Sequence, residues 1–157
     1  MAHTTADAAG LPVPNRAVGY RKGLLGFRQL SWLRGVHAAP PHDTSIKLPA
    51  GGLLSTVEDM ARFAVALNTG KLVRPETLEK MCAKPKTRDG KESDYALGFL
   101  VGEKEGRRRV YNDGSQAGTR TFLFMQPGEQ FAVTFMTNLE RAECEVLTPA
   151  IREVVLK

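Results

Sequence analysis

Three or four strand-like runs near the end of the chain constrain its fold more than any other feature of the sequence. They lie at 95–102, 107–112, 119–126 and 130–137, and their apolar residues suit strands that are buried on at least one face. The turn Gln126-Pro127-Gly128-Glu129 has proline and glycine where a hairpin requires them. Because strands joined by short turns pair antiparallel, the sequence predicts an antiparallel meander here.

A polar, glycine-bearing segment at 111–120 lies between two of these runs. Such a segment at the edge of a strand can present backbone N–H groups to a ligand. It is therefore the best candidate for part of an active site, and a purely structural hairpin is the alternative. The residues that would face a substrate are Asn112, Asp113, Gly114 and Ser115.

Two helices are predicted upstream of the strands. Ser55-Thr56-Val57-Glu58 has the pattern of a capping box, in which the Ser55 hydroxyl caps a helix at 56–68. Gly70 fits the end of that helix, and Pro75 fits the first turn of a shorter one that ends before Pro85. The apolar face of the first helix consists of Val57, Met60, Ala61, Phe63, Ala64 and Leu67.

The two ends of the chain differ in character. Residues 1–50 are rich in proline and glycine and have room only for short elements, such as a strand at 17–20 and a loop or short helix at 24–33. Residues 140–157 are predicted to be helical, with Thr148 capping a helix that restarts at Pro149. Its inward-facing residues would be Ile151, Val154 and Val155.

Together these elements predict one domain over residues 1–157. Residues 1–50 would be irregular, 51–85 helical, and 95–157 would form antiparallel strands and a C-terminal helix. This is an α+β fold in which helices pack on an antiparallel sheet.

Composition excludes several classes of function. The formal charge of +5 is spread along the chain, and its densest basic cluster, at 104–109, is expected to be a solvated hairpin turn rather than an anion-binding surface. No zinc-finger spacing or RNA-binding aromatic signature occurs, so no nucleic-acid partner is expected. No apolar run reaches the ~18 residues that span a bilayer, and the first residues lack a signal-peptide pattern. Cys82 and Cys144 are expected to be reduced and partly buried.

Motifs for cofactors and for complete catalytic sites are absent from the sequence. It contains no nucleophile elbow, phosphate-binding loop, dinucleotide fingerprint or H-E-x-x-H, so neither cofactor nor metal is predicted. His37 or His42 with Asp43 and Ser45 could form a triad, but histidines in such a proline-rich loop are mostly solvated. None of the five serines is followed three residues later by lysine, and no Y-x-N occurs.

Several segments taken together resemble the β-lactamase-related serine hydrolases. This family includes class C β-lactamases, penicillin-binding DD-peptidases and esterases. The segment Pro49-Ala50-Gly51-Gly52-Leu53-Leu54-Ser55 and the helix after it resemble the family's glycine-glycine-leucine, serine-start helix. The spacing to 68–72, 75–78 and 95–99 is similar, and Asn138 after the last strand also fits. The segment 111–120 then matches the family's third motif, a basic residue followed by any residue and glycine.

The resemblance implies the C-terminal part of a partial β-lactamase/DD-peptidase-like fold. Residues 1–4 and 16–20 match family segments that lie downstream of the nucleophile and Y-x-N motifs. The serine, lysine and tyrosine of those motifs are therefore expected to be missing. Asn112 stands where the family usually has lysine or histidine, and the backbone N–H of Ser115 would contribute to an oxyanion hole.

Two functions follow from the resemblance. The chain is either a fragment of a hydrolase that cleaves small amides or esters through an acyl-serine, inactive alone, or a non-catalytic binding or interaction domain derived from that fold. The expected partners are a complementary N-terminal segment or further copies of the chain, because the family's sheet is completed by N-terminal strands. Family members are periplasmic, secreted or cytoplasmic, so the resemblance leaves localisation open.

Overall fold

A computed structural model describes residues 1–7, 12–23, 35–41 and 43–156. Four short strands come first: β1 (Thr5–Ala6), β2 (Tyr20–Lys22), β3 (Val36–Ala38) and β4 (Leu53–Leu54). Four longer strands follow: β5 (Leu100–Lys104), β6 (Arg107–Gln116), β7 (Thr119–Gln126) and β8 (Phe131–Thr137). The helices are α1 (Leu48–Gly51), α2 (Val57–Asn68), α3 (Pro75–Met81) and α4 (Leu147–Val155).

The longer strands form one antiparallel sheet in the order β5-β6-β7-β8, as the sequence predicts. Glu105 and Gly106 have φ of 56° and 73°, so two left-handed residues close the β5–β6 hairpin with the twist that paired strands require. Gly118, with φ of 77°, turns β6 into β7. Elsewhere in the described residues β1 pairs with β4 and β2 pairs with β3.

Helices cover both faces of this sheet. On one face, called the α2 face, Ala64 and Leu67 of α2 and Leu78 of α3 pack against Val110 and Met125, which are fully buried. On the opposite face, called the α4 face, Ile151 of α4 packs against a cluster of buried side chains: Phe122, Phe124, Phe131 and Cys144. Fully burying one such apolar side chain contributes about 1.5–3 kcal/mol to stability. Helices thus pack on both faces of an antiparallel sheet and form two separate cores, which confirms the α+β class.

The start of α2 differs by one residue from the predicted capping box. Thr56 is the N-cap, and its hydroxyl accepts a hydrogen bond from the Asp59 N–H at 3.2 Å. The Ser55 hydroxyl instead lies 2.8 Å from the hydroxyl of Thr4. The end of the helix is as predicted, since Gly70 follows it with φ of 71°.

Asp59 holds the first residues of the chain against α2. Its carboxylate is fully buried and accepts hydrogen bonds from the N–H of His3 at 2.7 Å and from the hydroxyl of Thr4 at 3.0 Å. Arg62 donates a third at 2.8 Å. Burial opposes ionisation, but these donors outweigh it and lower the pKa of Asp59 to about 2.

A second contact holds residues 17–23 and 35–41 on the β6–β7 turn. The Tyr20 N–H donates to the carbonyl of Gly118 at 3.3 Å and to that of Asn138 at 2.7 Å. A Cβ on Gly118 would lie 2.7 Å from the Gly19 Cα and 2.7 Å from the Ala39 Cβ. The backbones therefore approach so closely that only glycine fits.

Several predicted boundaries need correction. The strand expected at 17–20 lies at Tyr20–Lys22, and the strand expected at 95–102 begins only at Leu100 because Gly98, with φ of 86°, turns the chain. The strand expected at 107–112 continues to Gln116 because its partner β7 extends it. The prediction for 24–33 falls outside the described residues.

The C-terminal helix is also shorter than predicted. Residues 140–143 are not helical, a 3-10 turn occupies Cys144–Val146, and α4 begins at Leu147 rather than at Pro149. Thr148 is buried inside the helix and does not cap it. Ile151 faces the core as predicted, but Val154 and Val155 are 74% and 62% exposed, because α4 reaches beyond the aromatic cluster.

Replacing Asp59 with asparagine should make the free energy of unfolding less sensitive to acid. The folded-state pKa of about 2 lies below the unfolded value of about 3.9. The carboxylate therefore stabilises the fold above pH 4, and this contribution is lost as pH falls towards 2. Urea unfolding between pH 2 and 6 should show a shallower decline for Asp59→Asn than for the parent. Glu58→Gln, on the exposed side of α2, is the control and should keep the parent slope.

Replacing Gly118 with alanine should lower the free energy of unfolding by about 1–3 kcal/mol, since the new methyl group would clash with Gly19 and strain a left-handed residue. Gly102→Ala is the matched control, because that Cβ would meet nothing within 4 Å. Denaturant unfolding of both variants measures the difference. Equal stabilities would contradict the close contact between the two glycines.

Candidate active-site strand

The candidate residues lie on a strand that is paired on one side only. β5 pairs with β6 from Lys104↔Arg107 to Leu100↔Tyr111, where β5 begins. Residues 112–116 of β6 continue beyond this point and pair only with β7 among the described strands. We call 112–116 the open edge. The structure thus brings Asn112, Asp113, Gly114 and Ser115 together at the place where a ligand can approach a strand from the side.

The register indicates which backbone groups face outward. In an antiparallel strand, alternate residues direct both N–H and C=O to the same side. The two-residue hairpin loops make Lys104↔Arg107 and Gln116↔Thr119 hydrogen-bonded pairs. Counting along β6 from either turn, Asp113 and Ser115 direct their N–H groups away from β7. Those two N–H groups are the donors that the open edge offers.

The side chains of the open edge differ in their partners. The Asn112 amide donates to the carbonyl of Gly98 at 2.9 Å, so it is tied to the turn before β5. Asp113 forms an ion pair with Arg120 at 3.1 Å. Ser115 is exposed, and its hydroxyl has no hydrogen-bond partner within the part of the chain that the structure describes.

Two glycine positions shape the same edge. The Gln116 amide donates to the carbonyl of Gly51, which brings the Gly51-Gly52 segment beside the end of the open edge. A Cβ on Gly114 would lie 2.6 Å from the Thr121 Oγ1, so a side chain there would displace that threonine. The backbone of the edge is therefore left uncovered by its own side chains at Gly114.

No nucleophile and base are paired in the described residues. Ser45 donates to Asp43 at 2.6 Å, and this hydrogen bond lowers the pKa of the Asp43 carboxyl. His42 lies outside the described residues. His37 lies in β3 opposite Arg21, and its ring has no described hydrogen bond to Ser45. His37 therefore does not form a catalytic triad with Asp43 and Ser45.

The remaining chemically suggestive groups have structural partners. Arg108 forms two hydrogen bonds with Glu79, at 2.7 and 2.5 Å, and Arg107 pairs with Glu129 at 3.1 Å, which supports the hairpin interpretation of the basic cluster. Cys82 and Cys144 are buried free thiols, and burial raises the pKa of each. Among the described residues, no group of three histidine, cysteine or carboxylate side chains is placed to hold a metal ion. Within the same residues, no helix is long and apolar enough to cross a membrane.

Sequence reasoning missed a charged cavity on the α4 face. Arg120 connects Asp113 to Glu145, which lies at 3.3 Å from it and belongs to the 3-10 turn before α4. The strand alternation places Asp113 and Arg109 on one face, and that signal was present in the sequence. No sequence pattern indicates that Glu145 lies beside Arg120, because only the packing of α4 on the sheet brings the two together.

Comparison with solved structures shows which fold this is. FmtA from Staphylococcus aureus matches with a TM-score of 0.72 and 19% identity, over 99% of this chain and 38% of that one. A penicillin-binding protein from Bacillus halodurans matches with a TM-score of 0.68 and 18% identity, over 96% of this chain and 44% of that one. D-amino acid amidase from Ochrobactrum anthropi matches with a TM-score of 0.65 and 19% identity, over 100% of this chain and 50% of that one.

These comparisons also give the extent of the match. The chain spans half or less of the length of these solved structures. No curated protein matches it. The family model described as Beta-lactamase matches residues 1–156. Because that match covers nearly the whole sequence and the fold agrees with it, the chain belongs to the Beta-lactamase family.

Proposed function

We propose that this chain is the C-terminal, substrate-facing part of a serine hydrolase that cleaves small amides or esters through an acyl-serine, and that it is inactive alone. The observation that carries the proposal is the open edge, where the Ser115 N–H points outward beside an uncovered backbone. In acyl transfer, negative charge develops on the carbonyl oxygen, and fixed N–H donors stabilise it. The Ser115 N–H is one such donor.

A complementary N-terminal segment would supply the rest of the site. The sequence has no S-x-x-K and no Y-x-N, so it contains neither the nucleophile with its lysine nor the tyrosine motif of the family. The second oxyanion donor would be the N–H of that nucleophile. Without an activated nucleophile and its N–H, the chain alone has no path to the acyl-enzyme.

The names of two structurally similar proteins favour amides as the substrates. The matched structures include the D-amino acid amidase from Ochrobactrum anthropi and a D-stereospecific amidohydrolase from Streptomyces. Their names describe amide hydrolysis, which is one of the two reactions that the proposed acyl-serine route would perform.

A non-catalytic binding domain is the second candidate, and Asn112 favours it. The family places a cation at this position, whereas asparagine carries no charge. Its amide is also already engaged with the carbonyl of Gly98 at 2.9 Å. A ligand bound at this edge would then meet hydrogen-bonding groups but no cation from the motif.

Complementation separates the two candidates. The chain should show no turnover of a chromogenic cephalosporin or a p-nitrophenyl ester alone, and should turn over one of them with an added N-terminal half of a family member that carries S-x-x-K and Y-x-N. In the active complex, Ser115→Pro should lower kcat by about 10²–10³, because proline removes the N–H donor. Ser115→Ala keeps that N–H and should retain activity.

Three results would contradict this assignment. Turnover by the chain alone would show that it catalyses hydrolysis without the S-x-x-K and Y-x-N motifs. A stable complex with the N-terminal half but without turnover would favour the binding domain. Equal activities of the proline and alanine variants, with both folded by circular dichroism, would remove the Ser115 N–H from the mechanism.

We also propose that the chain self-associates through β8. Among the described strands β8 pairs only with β7, and Phe131–Thr137 contains no charge and no proline. Natural sheets usually protect such an edge with charges, proline or a covering element. Val65 of α2, 55% exposed, adds apolar surface beside it. An edge of this kind can add a strand from another copy.

Sedimentation velocity should show concentration-dependent association of the chain. Thr134→Lys places a charge on β8 and should shift the distribution towards monomer. Thr121→Lys is the matched control, because it adds the same charge to the same sheet face on the internal strand β7. A single monomer species at all concentrations would contradict the proposal, as would equal effects of the two variants.

A further inference from the structure

A groove of about 320 Å³ lies between α2 and the side of β8 that does not pair with β7. Its walls include Ala61 and Val65 of α2 and Ala132 and Thr134 of β8. None of its lining residues carries a charge, although 25% of the residues in the chain are charged. Charged side chains are depleted where protein surfaces are buried in an interface. The groove therefore has the composition of a surface that another protein segment covers.

The sheet register indicates which residues of β8 direct backbone groups away from β7. The two-residue loop between β6 and β7 makes Gln116↔Thr119 a hydrogen-bonded pair, so the even-numbered residues of β7 bond to β8. Their partners on β8 are odd-numbered. Ala132, Thr134 and Met136 therefore direct their N–H and C=O groups outward, where a further strand would pair.

The free part of this edge coincides with the seven residues of β8, Phe131–Thr137. Beyond it, the carbonyl of Asn138 already accepts a hydrogen bond from the Tyr20 N–H at 2.7 Å. Before it, Gln130 has a left-handed φ of 51° and turns the chain out of the strand. If a second β8 pairs antiparallel with every residue of the first, the central residue, Thr134, must lie opposite its own copy.

This register places a long side chain of each copy beside the groove of the other. Ala132 and Thr134 lie on the α2 face, because they pair with Met125 and Leu123 of that core. Met136 lies on the same face by strand alternation. In the register centred on Thr134, Met136 of the second copy is opposite Ala132, whose small side chain leaves room beside α2. An unbranched methionine side chain is suited to filling such a gap.

The same register is favourable on the α4 face. It places Val133 opposite Phe135 of the second copy, and both residues already pack against the aromatic cluster of that face. A pair of an aromatic and a β-branched residue is one of the cross-strand combinations that stabilise sheets. Two-fold symmetry forms each of these contacts twice.

We propose that the groove receives Met136 of a second copy, in a two-fold dimer whose β8 strands pair antiparallel about Thr134. The inference rests on the self-association proposed above and adds its register and the residue that each copy inserts. The occupant is a second copy because β8 is complementary to itself: Ala132 and Met136, one small and one long, lie equally far from Thr134. The dimer would join the two sheets into one and needs no catalytic group.

Cysteine crosslinking tests the register. Thr134→Cys should form an intermolecular disulfide under mild oxidation, because Cα atoms of a hydrogen-bonded pair lie about 5.5 Å apart, within the range of disulfides. Ala132→Cys alone should not crosslink, since its two copies would lie about 13 Å apart along the strands. A mixture of Ala132→Cys and Met136→Cys should crosslink. The parent chain, with Cys82 and Cys144 buried, is the control and should form no disulfide dimer.

Truncating the inserted side chain tests the groove. Met136→Ala should weaken self-association about tenfold in sedimentation velocity, because the groove is then left unfilled. Leu97→Ala also truncates an exposed apolar side chain, which is 67% exposed and lies before β5, the strand at the other edge of the sheet. This control should associate like the parent. Circular dichroism checks that both variants are folded, and the crosslinks still decide if Met136→Ala is not.

The outcomes separate this inference from the proposals before it. Self-association without a Thr134→Cys disulfide, or with a disulfide formed by Ala132→Cys alone, would overturn the register and leave association through β8 standing. Equal association of Met136→Ala and Leu97→Ala would overturn the role of the groove. A single monomer species of the parent at all concentrations would overturn both the dimer and the proposed self-association, while hydrolysis is tested separately by complementation.

Discussion

The pairing of β6 with β7 is the contact on which the rest of the structure depends. Seven register pairs run from Val110↔Met125 to Gln116↔Thr119 and place one side of each strand in each core. Leu123 and Met125 thus face α2, while Phe122 and Phe124 face α4. Because β5 begins at Leu100, the same pairing carries β6 past its other neighbour. A difference in strand length creates the open edge.

Polar contacts then hold the described parts of the first fifty residues on this framework. The buried carboxylate of Asp59 accepts donors from His3 and Thr4, and such charge-assisted hydrogen bonds compensate for burying an ion. The Gly19–Gly118 contact fixes a different part of the N-terminal region on the β6–β7 turn. Among the described residues up to position 50, backbone and ionic contacts make these connections, and neither core cluster includes any of them.

Asp113 links the open edge to the charged cavity on the α4 face. Its backbone belongs to the open edge and its carboxylate belongs to the charged cavity, because a strand residue presents its main chain sideways and its side chain to one face. The Asn112 side chain lies on the opposite face and donates to the carbonyl of Gly98.

The sequence by itself determined the meander, both main helices, the end of α2 at Gly70 and the family, since these depend on local patterns of apolar residues, prolines and glycines. It also indicated Asn112, Asp113, Gly114 and Ser115 as one segment. Only the tertiary structure decided that Thr56 rather than Ser55 caps α2, that Val154 and Val155 face solvent, and that Glu145 meets Arg120. The exposure of the two valines and the contact of Glu145 depend on packing between residues distant in sequence, which no local pattern encodes. The cap depends on which of two adjacent hydroxyls meets the Asp59 N–H.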